Sequence, residues 1–242
     1  QYFQSHLLRF DKKIAQKLIT YGLKGHLGSI FQYLNYRFDM YIVALFLSTS
    51  QVGIYAVAVG FSEILWMIPN TLGVVITHRA ASRPWAEANR ITASVTRLTM
   101  ATMAVGCIVW VFVGKFIIPF LYGTAFIGAV NAMLWLLPGI WFLALWKNLL
   151  NDICSRGYPL LKTYSSGVAA IVTIVFDLLL IPKMGINGAA LASSIAYALA
   201  ALMSLFYYCR FTKVKIIDLF LLKKEDIQST INSLMKTVQV AD

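Results

Sequence analysis

Four ionisable side chains lie within long apolar stretches of the sequence, namely Arg37, Asp39, Glu63 and Asp177. A charge at the centre of a membrane-spanning helix costs roughly 2.5–3.5 kcal/mol, so a helix that faced only lipid would have no reason to carry it. A guanidinium group offers a fork of donors that suits phosphate, and burial disfavours the charged form of a carboxyl, which suits proton carriage. These residues therefore indicate a path for a substrate or an ion.

The stretch 27–47 carries the densest group of polar residues, and it is long enough to cross a hydrocarbon core of about 30 Å with Arg37 near the midplane. At 100° per residue, its polar residues form two stripes about 160° apart. One stripe holds Gly28, Gln32, Asn35 and Asp39, and the other holds Tyr33, Arg37 and Tyr41. We expect one stripe to line a cavity and the other to pack against a neighbouring helix, and the sequence leaves open which does which. In the alternative, the residues of both stripes only form structural contacts between helices of a bundle.

The candidate site residues fall into two groups by chemistry. For substrate binding in a lumen the candidates are Arg37, Asn35, Tyr33 and Tyr41, and for coupling to a proton or sodium ion they are Glu63, Asp39 and Asp177. Glu63 is the favoured proton carrier because its own span carries no Arg or Lys. The alternative for Glu63 is a hydrogen bond from a facing Ser or Tyr.

The composition is that of an integral membrane protein. The 242 residues are 59% hydrophobic and only 13% are charged, with a mean hydropathy of +0.71. The formal net charge of +11 does not indicate a nucleic-acid binder, because the charges sit between apolar runs rather than on a soluble basic face. We predict an all-α fold of six membrane spans, at about 27–47, 52–77, 98–119, 129–150, 163–181 and 186–208.

The distribution of Lys and Arg predicts the orientation of these spans. With the spans alternating in direction, 18 of the 21 basic residues fall on one side, two fall on the other and Arg37 lies within the membrane. By the positive-inside rule both termini are cytoplasmic. We expect a basic amphipathic segment at 1–24, a transmembrane lobe at 25–208 and a basic tail at 209–242 that lies on the membrane surface or closes the inner ends of the helices.

Two features predict how the helices bend and pack. Proline removes a backbone donor and crowds the preceding turn, so Pro69 and the pair Pro138 and Gly139 are candidate hinges, with a static kink as the alternative. The sixth span has small residues at four-residue spacing, which lets helix backbones approach closely in lipid.

The sequence contains no recognisable catalytic constellation. His6, His26 and His78 lie at or outside the ends of spans, and the three cysteines form no CxxC motif. We therefore predict no enzyme activity, no metal site and no cofactor, apart from a proton or sodium ion as a possible coupling ion.

Two runs of sequence resemble the second lobe of bacterial polysaccharide flippases. These are LNYRFDMYIVALFLSTSQVGIYAVAVGFSEILWMIPNTLGVVITHRAAS and LLPGIWFLALWKNLLNDICSRGYPLLKTYSSGVAAIVTIVFDLLLIPKMGINGAALASSIAYALAAL. The flippases form the O-antigen branch of the multidrug, oligosaccharidyl-lipid and polysaccharide (MOP) exporter superfamily. The resemblance covers about residues 25–208.

The resemblance implies a fold and a function. Two six-helix lobes would enclose a central lumen and move an undecaprenyl-diphosphate-linked oligosaccharide across the bacterial inner membrane by alternating access, with Arg37 attracting the diphosphate. Only six spans are present, so we expect the first lobe to come from a preceding part of the chain or from a second subunit. The alternatives are a multidrug or lipid II exporter of the same superfamily, a membrane subunit of a glycosyl- or acyltransferase, and a structural scaffold.

Overall fold

The computed structural model describes residues 12–81, 83–223 and 226, and these residues fold almost entirely into helices. The described part of the chain contains seven α-helices, which are α1 (Lys12–Phe46), α2 (Thr49–Glu63), α3 (Met67–Ala81), α4 (Trp85–Tyr122), α5 (Ile127–Ser155), α6 (Pro159–Met184) and α7 (Ile186–Thr212). Short 3-10 turns lie at Ile64–Trp66, Thr124–Phe126 and Ile216–Leu219. Because the first 3-10 turn joins α2 directly to α3, the helices form six rods.

Five of these rods are long and apolar enough to cross a membrane. They are Thr49–Val74, Trp85–Tyr122, Thr124–Ser155, Pro159–Met184 and Ile186–Thr212. All but the last residue of the first predicted span lie within α1, but α1 is not among the five because its polar residues lower its hydropathy. The chain is thus a multi-pass membrane protein, and the assignment of α1 to the membrane stays a prediction.

The helices of the structure are longer than the predicted spans, so several basic residues expected in connections lie within helices instead. Most of the stretch between the second and third predicted spans, residues 78–97, is helical, because α3 continues to Ala81 and α4 begins at Trp85. Arg97, predicted to lie in that stretch, is a buried residue of α4. Lys147, which the count of basic residues places on the cytoplasmic side although the predicted span 129–150 contains it, is inside α5. The predicted segment 1–24 is outside the described residues up to residue 11, and from Lys12 onward it is helical within α1.

α5 lies at the centre of the lobe, packed against α2, α3, α4 and α7. A second layer is formed by α1 and α6, which run in parallel: Gly28 lies beside Thr163, and Asn35 bonds to Thr173 further along both helices. α6 and α7 form a tight hairpin around Gly185, whose φ of +59° and ψ of −139° suit glycine. The register of α1 against α6 is important for the site described below.

Small residues of α7 allow close helix packing, as the sequence predicted. Ala189, Ala192, Ser193 and Ala196 are completely buried. Gly139 of α5 lies so close to α7 that a Cβ atom added there would come within 2.5 Å of the Cα atom of Ser194. The position of Gly139 is therefore dictated by the contact between α5 and α7.

The chain turns back on itself after α7. Lys213 ends the helix in the left-handed conformation, and the following residues lie along α4 and α5. We call residues 213–223 together with Asp226 the strap. The end of the lobe where α4 begins and where α5 and α7 end is called the inner end. Residues 227–242 of the predicted tail lie outside the described residues.

Candidate functional site

Arg37 and Glu63 form an ion pair between α1 and the end of α2. Arg37 Nη2 lies 3.4 Å from Glu63 Oε2, and the two side chains are 38% and 21% exposed. Glu63 thus has a basic partner on α1 although its own span carries no Arg or Lys, and its role as a proton carrier stays a prediction. A long, partly exposed ion pair can exchange its partner at modest cost.

Lys147 extends this polar face along α5. Its Nζ donates to Asn70 Oδ1 at 2.9 Å and lies 4.3 Å from the ring centroid of Trp66 and 5.5 Å from that of Tyr36. Asn70 follows Glu63 by seven residues along nearly continuous helix, so Lys147 lies about 10 Å from the level of Arg37. We call Arg37, Glu63, Asn70 and Lys147 the cationic face.

Asp39 points away from Arg37, towards α2 and α7. Its Oδ2 accepts hydrogen bonds from the Tyr55 hydroxyl at 2.6 Å and from the Ser193 hydroxyl at 3.3 Å. Its Oδ1 accepts a hydrogen bond from the backbone N–H of Met40 at 2.7 Å. Arg37 and Asp39 therefore have separate partners, in keeping with their places on stripes about 160° apart.

Asp177 of α6 lies at the level of Asp39. Asn35 donates from Nδ2 to Thr173 Oγ1 at 2.6 Å. Because α1 and α6 are parallel, a step of four residues along each helix brings Asp39 and Asp177 to the same level on facing sides.

The neighbours of Asp177 leave several oxygen atoms without donors. Asp177 is fully buried, and neither of its carboxylate oxygens accepts a hydrogen bond from the described residues. Asn35 Oδ1 is likewise buried without a donor among them. The residues that share this region form the buried carboxylate cluster, namely Asn35, Asp39, Tyr55, Thr173, Asp177 and Ser193.

The two stripes of α1 therefore have different surroundings. Asn35 and Asp39 are buried between helices of the lobe, whereas Tyr33 and Tyr41 are 63% and 67% exposed. Arg37 lies between these extremes. The stripe that contains Arg37 is thus the one that is open on the surface of the lobe.

The predicted hinges lie in helices that pack tightly. Pro69 is the third residue of α3, and the 3-10 turn at Ile64–Trp66 lies just before it, where a proline crowds the preceding turn. Pro138 lies inside α5, which is helical throughout, so this helix is not interrupted, and the bend expected at Pro138 and Gly139 stays a prediction. The Ser194 hydroxyl of α7 donates to the Trp135 carbonyl at 2.6 Å in the turn that precedes Pro138.

A second polar network lies at the inner end. Arg156 donates from Nε to Asp152 Oδ2 at 2.7 Å, stacks 4.7 Å from the ring of Trp85 and reaches Asn89. Asp152 also accepts a hydrogen bond from Thr92 at 2.8 Å. Since these carboxylate oxygens have donors on two helices, this network joins α4 to α5. In the described parts of the chain, no group of three His, Cys, Asp or Glu side chains is arranged to hold a metal ion.

The sequence does not single out Lys147, Asn70 or Trp66 as site residues. Lys147 lies near the end of an apolar run, where a lysine is equally common as a solvated flanking residue, and only the packing of α3 against α5 brings it to Asn70. The feature of the sequence that indicates a position of Lys147 within the helix is the apolar pattern, which continues beyond it to Ile153.

The sequence matches one family model, described as polysaccharide biosynthesis protein, over residues 2–131. No match to the chain is found among curated proteins.

Two solved transporter structures share the fold of this chain. One is a multidrug resistance transporter of the MATE family of the MOP superfamily in an outward-facing conformation, with a TM-score of 0.66 and 16% identity. The other is a MOP superfamily transporter from Pyrococcus furiosus whose binding pocket is described as having reverse polarity, with a TM-score of 0.64 and 17% identity. Each match covers 85% of this chain and 48% of the transporter. The chain therefore spans about half the length of these transporters, which corresponds to one lobe.

Proposed function

We propose that this chain, which belongs to the polysaccharide biosynthesis protein family, is one lobe of a flippase for an undecaprenyl-diphosphate-linked oligosaccharide in the bacterial inner membrane. A second six-helix lobe would complete the lumen. The chain would have both termini in the cytoplasm and α1 as its first membrane span. The observation that carries this proposal is the cationic face, which is partly exposed on a lobe of transporter fold.

Arg37 would bind the diphosphate of the lipid carrier. Its guanidinium fork matches phosphate oxygens, and its bond to Glu63 is long at 3.4 Å. A phosphate that displaces Glu63 would form shorter, charge-assisted hydrogen bonds. Glu63 would then serve as the counter-ion of Arg37 in the empty lumen and would compete with the substrate during release.

Lys147 would provide a second phosphate contact nearer the inner end. Its Nζ is held by Asn70 and stays over the ring of Trp66, an arrangement that fixes the charge without neutralising it. Lys147 and Arg37 are about 10 Å apart along the helices. The anionic head could therefore pass from Lys147 to Arg37 as it moves from the inner to the outer leaflet. Tyr33 and Tyr41 expose aromatic faces beside Arg37 that suit contact with sugar rings.

The buried carboxylate cluster would couple transport to a proton or a sodium ion. Asp39 and Asp177 contribute two carboxylates, and Asn35 contributes an amide oxygen without a donor among the described residues. Such oxygen atoms suit a hard cation, and two neighbouring buried carboxyls also suit the binding of one proton. This cluster replaces Glu63 as the preferred coupling site, because Glu63 is paired with Arg37.

Cells that lack this protein provide the test. The lipid-linked oligosaccharide should accumulate in the inner leaflet, and surface polysaccharide should disappear until the complete transporter is restored. Unchanged surface polysaccharide in the deletion strain would contradict the proposal.

The fold shared with a multidrug resistance transporter favours a drug exporter of the same superfamily as the second candidate function. An exporter of this kind would leave surface polysaccharide intact but alter drug susceptibility in the same deletion strain.

A further inference from the structure

The strap is fixed to the lobe by a buried ion pair. Arg97 of α4 donates to both carboxylate oxygens of Asp226, from Nε and from Nη2 at 2.6 Å each, and both side chains are 5% exposed. Ser94 and the backbone N–H of Lys223 donate to the same carboxylate at 2.5 and 3.0 Å. Phe220 packs against Trp141 of α5 with 6.1 Å between ring centroids. The strap therefore has a defined position against α4 and α5.

The contacts of the strap place it at the boundary of the hydrocarbon core. α7 has 27 residues and is about 40 Å long, so when it is centred on a core of about 30 Å it extends about 5 Å beyond the core at each end. The last residue of α7, Thr212, lies beside Asn89, and Asp226 lies beside Arg97, eight residues further along α4. Between Thr212 and Asp226 the chain thus turns back by about 12 Å along α4. Since α7 extends about 5 Å beyond the core, Asp226 lies about 7 Å below the boundary of the core. Monotopic helices reach a depth of about 5–10 Å.

The strap has one face towards the lobe and one face away from it. Leu219 is fully buried, and Val214 and Phe220 pack against the core. The exposed apolar side chains of the strap are Ile216 (56% exposed), Ile217 (59%), Leu221 (59%) and Leu222 (46%), and the ion pair of Asp218 and Lys223 is exposed as well. Such a face in water would be unfavourable, whereas among acyl chains it would be buried.

The polar groups of the strap also suit a lipid boundary. Backbone amides of Asp218, Phe220 and Leu221 donate to carbonyls within the strap, so few backbone donors need water. Lys213 and Lys215 are exposed at the start of the strap, on the side nearest the end of α7. Lysines at this level, next to an apolar face, match the negative charge of anionic headgroups.

We propose that the strap is anchored in lipid, in the leaflet where α7 ends. Its outward side chains insert among the acyl chains, and Lys213 and Lys215 bind the phosphate groups of anionic phospholipids. The pair of Arg97 and Asp226 holds the other face of the strap to α4. The strap thus connects the inner end of the lobe to the membrane surface on which the lobe must move.

Spin labels measure the depth directly. In the full chain with its native cysteines replaced by serine, we would place a label at Ile217 or Leu221, a lipid-facing control at Phe112 and a water-facing control at Arg83. The protein would be reconstituted in vesicles of phosphatidylglycerol and phosphatidylcholine. Labels at 217 and 221 should collide with oxygen more than with a water-soluble nickel complex, as the Phe112 label does. Collision with nickel as frequent as for the Arg83 label would overturn the proposal, and exclusion of both reagents would overturn it in favour of a covering protein.

A second arm tests the role of lipid charge. Lys213→Gln with Lys215→Gln leaves the contacts of Asp226 described above intact. Raising the phosphatidylglycerol fraction should deepen the label at 217 in the unmodified strap and have at least a threefold smaller effect in the double variant. An equal response in both proteins would overturn the assignment of the lysines to lipid phosphate.

Discussion

Replacing Asp226 with asparagine is the most informative perturbation of the lobe's stability. The carboxylate of Asp226 receives hydrogen bonds from Arg97, Ser94 and the backbone of Lys223, and Arg97 is 5% exposed. Asp226→Asn keeps the shape of the side chain but leaves the Arg97 charge buried without this counter-charge. Removing one partner of a buried pair costs about 3–5 kcal/mol.

We expect the lower end of this range. Arg97 keeps the backbone carbonyl of Asp218 as an acceptor, and the new amide oxygen can still accept one hydrogen bond. A loss of about 3 kcal/mol corresponds to a fall in Tm of about 6–12 °C for a domain of this size. Thermal unfolding in detergent, followed by the fluorescence of the tryptophans, measures the difference.

Asp218→Asn is the matched control in the same strap. Asp218 pairs with Lys223, and both side chains are largely exposed at 39% and 50%. In detergent, where the Tm is measured, such a partly exposed pair contributes little to stability, so its loss should leave the Tm within experimental error of the wild type. The double replacement Arg97→Met with Asp226→Leu should recover most of the stability, since no charge of the pair is then left without its partner. Equal Tm values for Asp226→Asn and Asp218→Asn would refute the reasoning.

The effect of Asp226 should also depend on pH in a defined direction. Burial alone would raise the pKa of Asp226, but the hydrogen bonds from Arg97, Ser94 and Lys223 outweigh it and lower the pKa from 3.8 to about 2. A lowered pKa in the folded state means that the stabilisation is complete above about pH 4 and is lost as the pH falls through about 2. The difference in Tm between the wild type and Asp226→Asn should therefore be constant from about pH 7 to about pH 5 and shrink below about pH 4.

The remaining predictions concern transport. Arg37→Ala should weaken binding of the lipid-linked oligosaccharide about 10- to 100-fold, and Arg37→Lys should retain part of it; equal surface polysaccharide in the wild type and the Ala variant at matched expression would exclude the role. Glu63→Gln frees Arg37 from its counter-charge, so substrate binding should tighten while turnover falls, and weaker binding would contradict the competition. Asp177→Asn should abolish the response of transport to an imposed proton or sodium gradient while substrate binding survives, and an unchanged response would place the coupling elsewhere. Gly139→Ala should lower stability by about 1–3 kcal/mol through contact with α7, so Pro138→Ala alone tests the hinge: binding should persist while turnover falls, and unchanged turnover would leave a static kink.

The sequence predicts the membrane helices well because the hydrophobic pattern of a span is local. The apolar runs locate α2 to α7, and the small residues of α7 correctly indicate close packing. The ends of the helices are harder to predict from the sequence, because a polar residue such as Arg97 can remain within a helix when another segment neutralises its charge. Its partner Asp226 lies far away in sequence, and no local pattern connects the two.

The candidate site shows the same limit. The periodicity of α1 separates Arg37 from Asp39, and the structure gives them different partners. The identity of those partners depends on how α1 packs against α2 and α6, which periodicity does not specify. For this reason the sequence predicted no basic partner for Glu63, whereas the packing of α1 against α2 brings the guanidinium group of Arg37 to it.

Translocation by the complete transporter in proteoliposomes tests the central claim most directly. The second lobe would be included, and a membrane-impermeant glycosidase would measure how fast an undecaprenyl-diphosphate-linked oligosaccharide becomes accessible at the opposite leaflet. We predict rapid translocation by the wild type and a large loss when Arg37 and Lys147 are both replaced by alanine. Translocation that is unaffected by this double replacement would contradict the assignment of the cationic face to the lipid diphosphate.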